Sequence, residues 1–230
     1  MLRISAVTKF TLQDFPEKTA CIVWFAGCNM FCKYCHNVHL LEQTENFIPE
    51  ADVMAFLKSR VGLIDGVVLS GGECSLFPDD VHEFIRKIKD MGFLIKIDTN
   101  GLNFDFVKKL LDEKLADFIA LDYKSPREKF NFITGAINQY NAFDRTMRLV
   151  IDSDVKKEIR TTVHTDLLNE DDINSMVKNL ERLRYGGTFY IQNFRNDNGV
   201  VRGIGDQKNV LDREKIVSSK LFKIEYRNFF

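Results

Sequence analysis

Apolar and polar positions follow two different periods along the chain. Short, nearly continuous apolar runs, typical of strands buried on both faces, alternate with stretches in which apolar residues recur every three or four positions. This alternation predicts βα units and a parallel sheet. The runs predicted as strands span residues 20–25, 66–70, 93–98, 117–124, 158–164 and 188–192.

Helical periodicity fills the stretches between these runs. It is clear around residues 53–57, 81–88 and 106–111, and helices are also predicted over 138–151 and 171–183. Six βα units are too few to close an eight-stranded barrel, so the pattern predicts an α/β fold that is an open, partial barrel of parallel strands.

No composition shift or low-complexity linker divides the chain, so residues 1–230 are expected to form a single domain. Within it we expect an N-terminal extension at 1–19, a barrel core at 20–195 and a C-terminal tail at 196–230.

Net charge and hydropathy limit which partners and cellular locations are expected for this chain. Thirty-two basic and thirty-three acidic residues give a net charge of −1, so no overall charge points to nucleic acid or to an anionic membrane. The first residues lack the continuous apolar segment of a secretory signal, and the longest apolar stretch, residues 20–28, is too short to span a bilayer. We therefore expect a cytoplasmic protein whose thiols stay reduced.

Three cysteines lie in one loop directly after the first predicted strand. Cys28, Cys32 and Cys35 form a C-x3-C-x2-C run within GCNMFCKYCHN. A cubane [4Fe–4S] cluster normally takes one cysteine on each iron, so three thiolates would leave one iron open to another ligand. A zinc site with His36 as fourth ligand and a chance group of free thiols are the alternatives. Five cysteines, an odd number, argue against a disulfide framework.

Polar residues also end the other predicted strands. In a parallel barrel the loops at the carboxyl ends of the strands build the active site, so we expect these residues to lie together. They are Gly71, Gly72 and Glu73; Asp98, Thr99, Asn100 and Gly101; Asp122 and Lys124; Arg160, Thr162 and His164 on one strand face; and Gln192 and Asn193.

Each of these motifs has a purely structural alternative. The two glycines suit an ordinary turn, and Asp98 suits a strand-ending Asx turn. Asp122 and Lys124 could form a surface ion pair. His164 could be a core histidine with both nitrogens satisfied.

The cysteine spacing, with the aromatic Tyr34 before the last cysteine, resembles the motif of the radical S-adenosylmethionine (SAM) superfamily. The resemblance implies a (β/α)6 fold and a [4Fe–4S] cluster bound by Cys28, Cys32 and Cys35. In that family the open iron binds the amine and carboxylate of SAM, and one electron cleaves the sulfonium to methionine and a 5′-deoxyadenosyl radical. His36 would tune the cluster by hydrogen bonding.

Other motifs carry the resemblance further. Gly71-Gly72-Glu73 is similar to the family's GGE motif, which holds the SAM amino group, although Cys74 stands where proline is common. Asp98-Thr99-Asn100-Gly101 and the pair Asp122 and Lys124 resemble the DTNG and D-x-K motifs of glycyl-radical-enzyme activating proteins. The resemblance implies that these residues contact SAM, that Asp98, Thr99 and Asp122 hold a monovalent cation, and that His164 contacts SAM or the substrate.

The resemblance implies an enzyme that abstracts hydrogen from a glycine of a partner protein to leave a glycyl radical. The partner would be a glycyl radical enzyme, with anaerobic ribonucleoside-triphosphate reductase the first expectation, and the electron would come from a flavodoxin or ferredoxin. A radical SAM enzyme acting on a small molecule, of the 7-carboxy-7-deazaguanine synthase type, is one alternative. A non-catalytic metal-binding module is the other.

Overall fold

Eight strands form one sheet in the part of the chain that the structure describes, residues 2–196 and 204–229 of a computed structural model. The strands follow one another in chain order; β1 is antiparallel to β2, and every later pair is parallel. They are β1 (Ile4–Thr11), β2 (Ala20–Phe25), β3 (Gly66–Gly71), β4 (Leu94–Thr99), β5 (Phe118–Asp122), β6 (Lys156–Val163), β7 (Thr188–Asn193) and β8 (Lys223–Arg227).

Helices connect the parallel strands. They are α1 (Val38–Glu42), α2 (Glu50–Lys58), α3 (Pro78–Asp90), α4 (Phe104–Asp112), α5 (Arg127–Thr134), α6 (Tyr140–Asp152) and α7 (Glu170–Arg182). Among the described residues, none of the helices has the length and apolarity needed to cross a membrane.

The central strands are buried on both faces, as their apolar composition requires. Val67, Val68 and Leu69 of β3 are fully buried, because alternate side chains face the helices and the barrel interior. Amphipathic helices supply the outer layer; Phe84 of α3 and Phe106 of α4 are buried in the same apolar cluster as β3. This packing holds the carboxyl ends of the strands in fixed register.

The predicted fold class is confirmed. All six predicted strands are present, with ends within two residues of the predicted positions. Two further strands add to them: β1 lies in the region predicted as an N-terminal extension, and β8 lies in the predicted tail. Because β1 and β8 are the two edges of the described sheet, the barrel is partial and open.

Candidate active site

A cavity opens at the carboxyl ends of the strands, beside the loop that follows β2. Twelve residues predicted to form the site line it on the cysteine loop and at the ends of β3, β4 and β5. They are Cys28, Cys32, Tyr34, Cys35, Gly71, Gly72, Glu73, Asp98, Thr99, Asn100, Asp122 and Lys124. The predicted residues His36, Arg160, Thr162, Gln192 and Asn193 also line it, whereas Gly101 and His164 do not; the remaining lining residues are Met30, Asn37, Leu41, Ser70 and Asn228.

The three predicted cluster cysteines are free thiols that line this cavity. Burial raises the pKa of Cys28 to about 12, to which the nearby Glu73 carboxylate adds, and burial raises the pKa of Cys32 to about 11. Burial therefore favours the protonated form of Cys28 and Cys32, and binding of a metal would release those protons.

Three cysteines on one loop are a donor set that suits three irons of a [4Fe–4S] cluster. In the described ranges no three His, Cys, Asp or Glu side chains converge as around one metal ion. In a cubane each cysteine binds a different iron, so its ligands stand around the cluster instead of converging on one point. Cys28, Cys32 and Cys35 all line the same cavity, as that arrangement requires.

The glycine pair brings β3 against the start of the cysteine loop. Gly72 N donates to Phe25 O at 2.9 Å, and Glu73 N donates to Gly27 O at 2.9 Å. A Cβ atom on Gly71 would overlap the backbone of Phe25, and one on Gly72 would overlap Gly27 O. Glycine is needed here for close backbone approach.

The Glu73 carboxylate joins the GGE and DTNG segments. It is 2% exposed and accepts hydrogen bonds from Ser75 N at 3.1 Å, Thr99 Oγ1 at 2.8 Å and Asn100 N at 2.7 Å. Burial raises the pKa of Glu73, while these donors act in the opposite direction. With its oxygens engaged by the protein, Glu73 fixes the two loops relative to each other.

Asn100 extends this junction to the cysteines. Its Nδ2 donates to Asn29 Oδ1 at 2.7 Å and lies 3.7 Å from Cys28 Sγ. An amide donor beside a thiolate ligand is one means by which a protein tunes an iron–sulfur centre.

A group of opposite charges forms the floor of the cavity. Arg160 of β6 bridges two carboxylates: its Nε donates to Asp122 Oδ1 at 2.5 Å and its Nη2 to Asp98 Oδ2 at 3.2 Å. Lys124 Nζ donates to Asp122 Oδ2 at 2.9 Å, and Lys96 donates to Asp98. Three cations thus surround two carboxylates.

These pairs keep the site ionised. Burial disfavours the charged form of Asp122, but Arg160 and Lys124 outweigh it and hold the pKa of that carboxyl well below its usual range. Arg160 and Lys96 likewise outweigh burial and lower the pKa of Asp98. Burial alone would lower the pKa of Lys124, but the Asp122 carboxylate outweighs burial and the pKa is raised. A charged ligand that entered the cavity would therefore interact with side chains that remain ionised at neutral pH.

From the sequence we did not predict that Lys96 belongs to the site or that Arg160 bridges two carboxylates. Lys96 is almost fully buried within an otherwise apolar strand. A signal was present: three consecutive strands each carry opposite charges two residues apart, on one strand face. The pairs are Lys96 and Asp98, Asp122 and Lys124, and Glu158 and Arg160.

Tyr34 and His164 contact the protein backbone. The Tyr34 hydroxyl donates to Lys124 O at 3.0 Å, which ties the cysteine loop to the end of β5. His164 is fully buried and does not line the cavity; its Nε2 lies 3.0 Å from Gly205 O, and its Nδ1 accepts from Asp166 N at 3.3 Å. These bonds suit the core-histidine alternative, and its role toward SAM stays a prediction.

Cys74 lies next to the site but behind its lining. The thiol is buried, with Sγ 3.6 Å from Asp98 O and 3.9 Å from Glu73 Oε1, and burial raises its pKa well above the usual value. Cys21 is also fully buried. Both behave as small core side chains.

Comparison with known proteins gives one family match and several relatives. The family model described as the radical SAM superfamily matches residues 22–183, more than half of the chain. A protein of Methanocaldococcus jannaschii with the provisional name glycyl-radical enzyme activating enzyme is 29% identical over 77% of this chain and 75% of its own length. The pyruvate formate-lyase-activating enzyme of Clostridium pasteurianum is 28% identical over 80% of this chain and 78% of its own length.

Solved structures support the fold. The crystal structure of SuiB from Streptococcus suis aligns with a TM-score of 0.68 at 16% sequence identity. The alignment covers 88% of this chain and 47% of SuiB, so this chain corresponds to about half of that protein.

Proposed function

This chain belongs to the radical SAM superfamily, and from that premise we propose that it is an activating enzyme that creates a glycyl radical on a partner protein. The observation that carries the proposal is the convergence of one cysteine loop with the polar ends of five parallel strands around one cavity. The names of the relatives in Methanocaldococcus and Clostridium support it. We place the enzyme in the cytoplasm, where its thiols stay reduced.

Cys28, Cys32 and Cys35 would bind three irons of a [4Fe–4S] cluster. When bound, the cluster supplies the electron that cleaves the sulfonium of SAM to methionine and a 5′-deoxyadenosyl radical. The chain's own residues position the reactants: Asn100 orients the Cys28 sulfur, and Tyr34 fixes the loop. Placement near the reacting atoms is what hydrogen abstraction requires of the protein.

The charged floor would hold the polar ends of SAM. Lys124 and Arg160 present cations to its carboxylate, while Asp98 and Asp122 present acceptors to its ammonium and ribose hydroxyls. Gly71, Gly72 and Glu73 form the wall between this floor and the cysteine loop. A contact of His164 with SAM or substrate belongs to the same proposal, and it requires the C-terminal segment to shift and expose the imidazole ring.

A monovalent cation beside SAM, held by Asp98, Thr99 and Asp122, is part of the proposal. Arg160 already bridges the two carboxylates, and the Thr99 hydroxyl donates to Glu73. A potassium titration of SAM affinity tests the cation. If SAM binds with the same affinity in potassium as in a bulky organic cation, the proposed cation site is wrong.

We propose anaerobic ribonucleoside-triphosphate reductase as the partner and a flavodoxin or ferredoxin as the electron donor. Pyruvate formate-lyase is the second candidate partner, favoured by the names of relatives in Clostridium and in Escherichia coli. Both partners would present a glycine in a flexible backbone segment that can enter the open side of the barrel.

An anaerobic assay tests the function and separates the partners. The reduced, reconstituted protein is mixed with SAM and each purified candidate, and electron paramagnetic resonance is used to look for a glycyl doublet. A doublet with one partner supports the proposal and identifies that partner. SAM cleavage without a doublet in either partner, together with turnover of a pterin, would favour a small-molecule enzyme. A purified protein that is colourless and contains zinc would overturn the proposal.

A further inference from the structure

The outer side of the cysteine loop carries an exposed apolar patch. Phe31 is 60% exposed, Phe132 in α5 is 61% exposed and Ile137 just after α5 is 63% exposed. Lys33 Nζ lies 4.5 Å from the centroid of the Phe132 ring. We call Phe31, Lys33, Phe132 and Ile137 the loop patch.

The loop has two faces with different roles. Met30, Cys32 and Tyr34 are buried and line the cavity, whereas the intervening Phe31 is on the outside. The same short segment therefore presents cysteines to the cavity on one side and the loop patch to solvent on the other. Because Cys32 lies between Phe31 and Lys33 in the chain, a molecule bound to the patch contacts the loop that carries the cysteines.

The patch is held rigidly by α5. Phe31 N donates to Thr134 O at 2.7 Å and Lys33 N donates to Ile133 O at 3.0 Å, so the loop satisfies carbonyls at the carboxyl end of the helix. Gly135 ends α5 with φ of 68°, and a Cβ atom added there would lie 3.1 Å from Phe31 Cβ. A preformed apolar surface of this kind favours protein association.

We propose that the loop patch is the docking site for an acidic one-electron carrier protein, an inference that rests on the proposed function. Each SAM cleavage consumes one electron, which the carrier gives up as it is oxidised by one electron. The cavity side of the loop would be filled by SAM and the partner's glycine, so the carrier must approach from another side. The patch is on the opposite side of the loop, and the positive charge of Lys33 complements an acidic partner.

Two variants test this surface. In Phe132→Ser/Ile137→Ser the apolar contact is removed, and in Lys33→Glu the charge is reversed. SAM cleavage is measured as 5′-deoxyadenosine release, driven either by reduced flavodoxin, by reduced ferredoxin or by dithionite. We expect each variant to lose roughly tenfold in the carrier-driven rate at limiting carrier, as for loss of an interface anchor, with the dithionite-driven rate unchanged.

The dithionite arm separates this inference from the proposed function. A wild-type protein that cleaves no SAM with dithionite contradicts the function itself. Variants that match wild type with both carriers overturn the docking site alone. Leu63→Ser and Lys58→Glu, on exposed positions of another part of the surface, are the matched controls and should leave both rates unchanged.

Two further measurements keep the test decisive. If the double variant does not fold, the docking site is tested with Lys33→Glu and with the salt dependence of the wild-type rate. The carrier-driven rate of the wild type should fall as ionic strength rises, and the rate of Lys33→Glu should fall less steeply. A rate independent of salt in both proteins would overturn the proposal. So would a wild-type dimer that the double variant dissociates, because a second copy would then cover the patch.

Discussion

At the residue scale, Arg160 is the centre of the charged floor. Its guanidinium contacts Asp98, Asp122 and Glu158, the last at 3.8 Å, and Glu158 is also paired with Arg227 at 3.3 Å. Side chains this poorly exposed have lost most of their hydration, so each carboxylate depends on its cation. These charges consequently form a single electrostatic unit that spans four strands, β4, β5, β6 and β8.

Replacing Arg160 should therefore affect stability and SAM binding together. Arg160→Gln leaves two carboxylates facing each other, and we expect a loss of about 3 kcal/mol in the free energy of unfolding. Arg160→Lys keeps the charge but loses the second donor direction, so it should recover part of that stability. Urea denaturation and calorimetric titration with SAM measure the two effects, and equal stability of both variants and wild type would contradict the bridge.

The lowered pKa of Asp122 has a consequence for acid stability. A carboxyl whose pKa is lower in the folded than in the unfolded protein binds fewer protons when folded, so its contribution is present above the unfolded value of 3.8 and is lost as the pH falls through the lower folded value. We expect Asp122→Asn to lose stability at neutral pH and to unfold with a shallower pH dependence below 3.8. Unfolding curves at a series of pH values measure this; parallel curves for both proteins would show that Asp122 does not contribute.

Much of the site at this scale could be predicted from sequence. Cysteine spacing, a glycine pair and polar strand ends are local patterns, and the barrel topology brings them together. Lys96 was missed because its partner Asp98, two residues further on, was interpreted as a strand end and a ligand contact, and one lysine in an apolar strand does not by itself indicate a site. Its buried position makes sense only beside Asp98 and the arginine of a distant strand.

At the element scale, α5 and the cysteine loop form one unit. The helix was not predicted, because in eight residues it buries only Phe130, Ile133 and Thr134, too few for a clear period. The six core strands were predicted because burial on both faces gives long apolar runs. Buried and exposed positions alternate only weakly along the edge strand β1, so its sequence contains no long apolar run.

Gly135 is the position where this unit can be tested. In Gly135→Ala the left-handed backbone costs about 1 kcal/mol, and the new methyl group presses on Phe31. Gly92 has φ of 88° and open space within 4 Å of the position that a Cβ atom would take, so Gly92→Ala has the backbone cost alone. We expect Gly135→Ala to melt at or below the temperature of Gly92→Ala, because of the added contact with Phe31, and we expect a lower iron and sulfide content after reconstitution only in Gly135→Ala. Equal iron content would mean that α5 does not position the cysteines.

At the scale of the whole molecule, the open barrel is completed by the C-terminal segment. β8 pairs in parallel with β7, and Arg227 reaches Gln192 and Glu158, each at 3.3 Å. Asn228, just beyond β8, lines the cavity. Sequence periodicity did not predict this strand, because its five residues are partly exposed and alternate too briefly to stand out from a loop.

Removing residues 223–230 should damage both the edge and the cavity. The hydrogen-bonding edge of β7 would be exposed, and open sheet edges favour pairing between molecules. We therefore expect the truncated protein to aggregate in light scattering and to bind SAM more weakly. Arg227→Gln in the full chain is the matched control, because it keeps β8 and removes only the contacts of the guanidinium with Glu158, Gln192 and the Tyr190 ring; it should stay monodisperse. A truncated protein that remained monodisperse and bound SAM normally would show that the barrel functions with β7 as its edge.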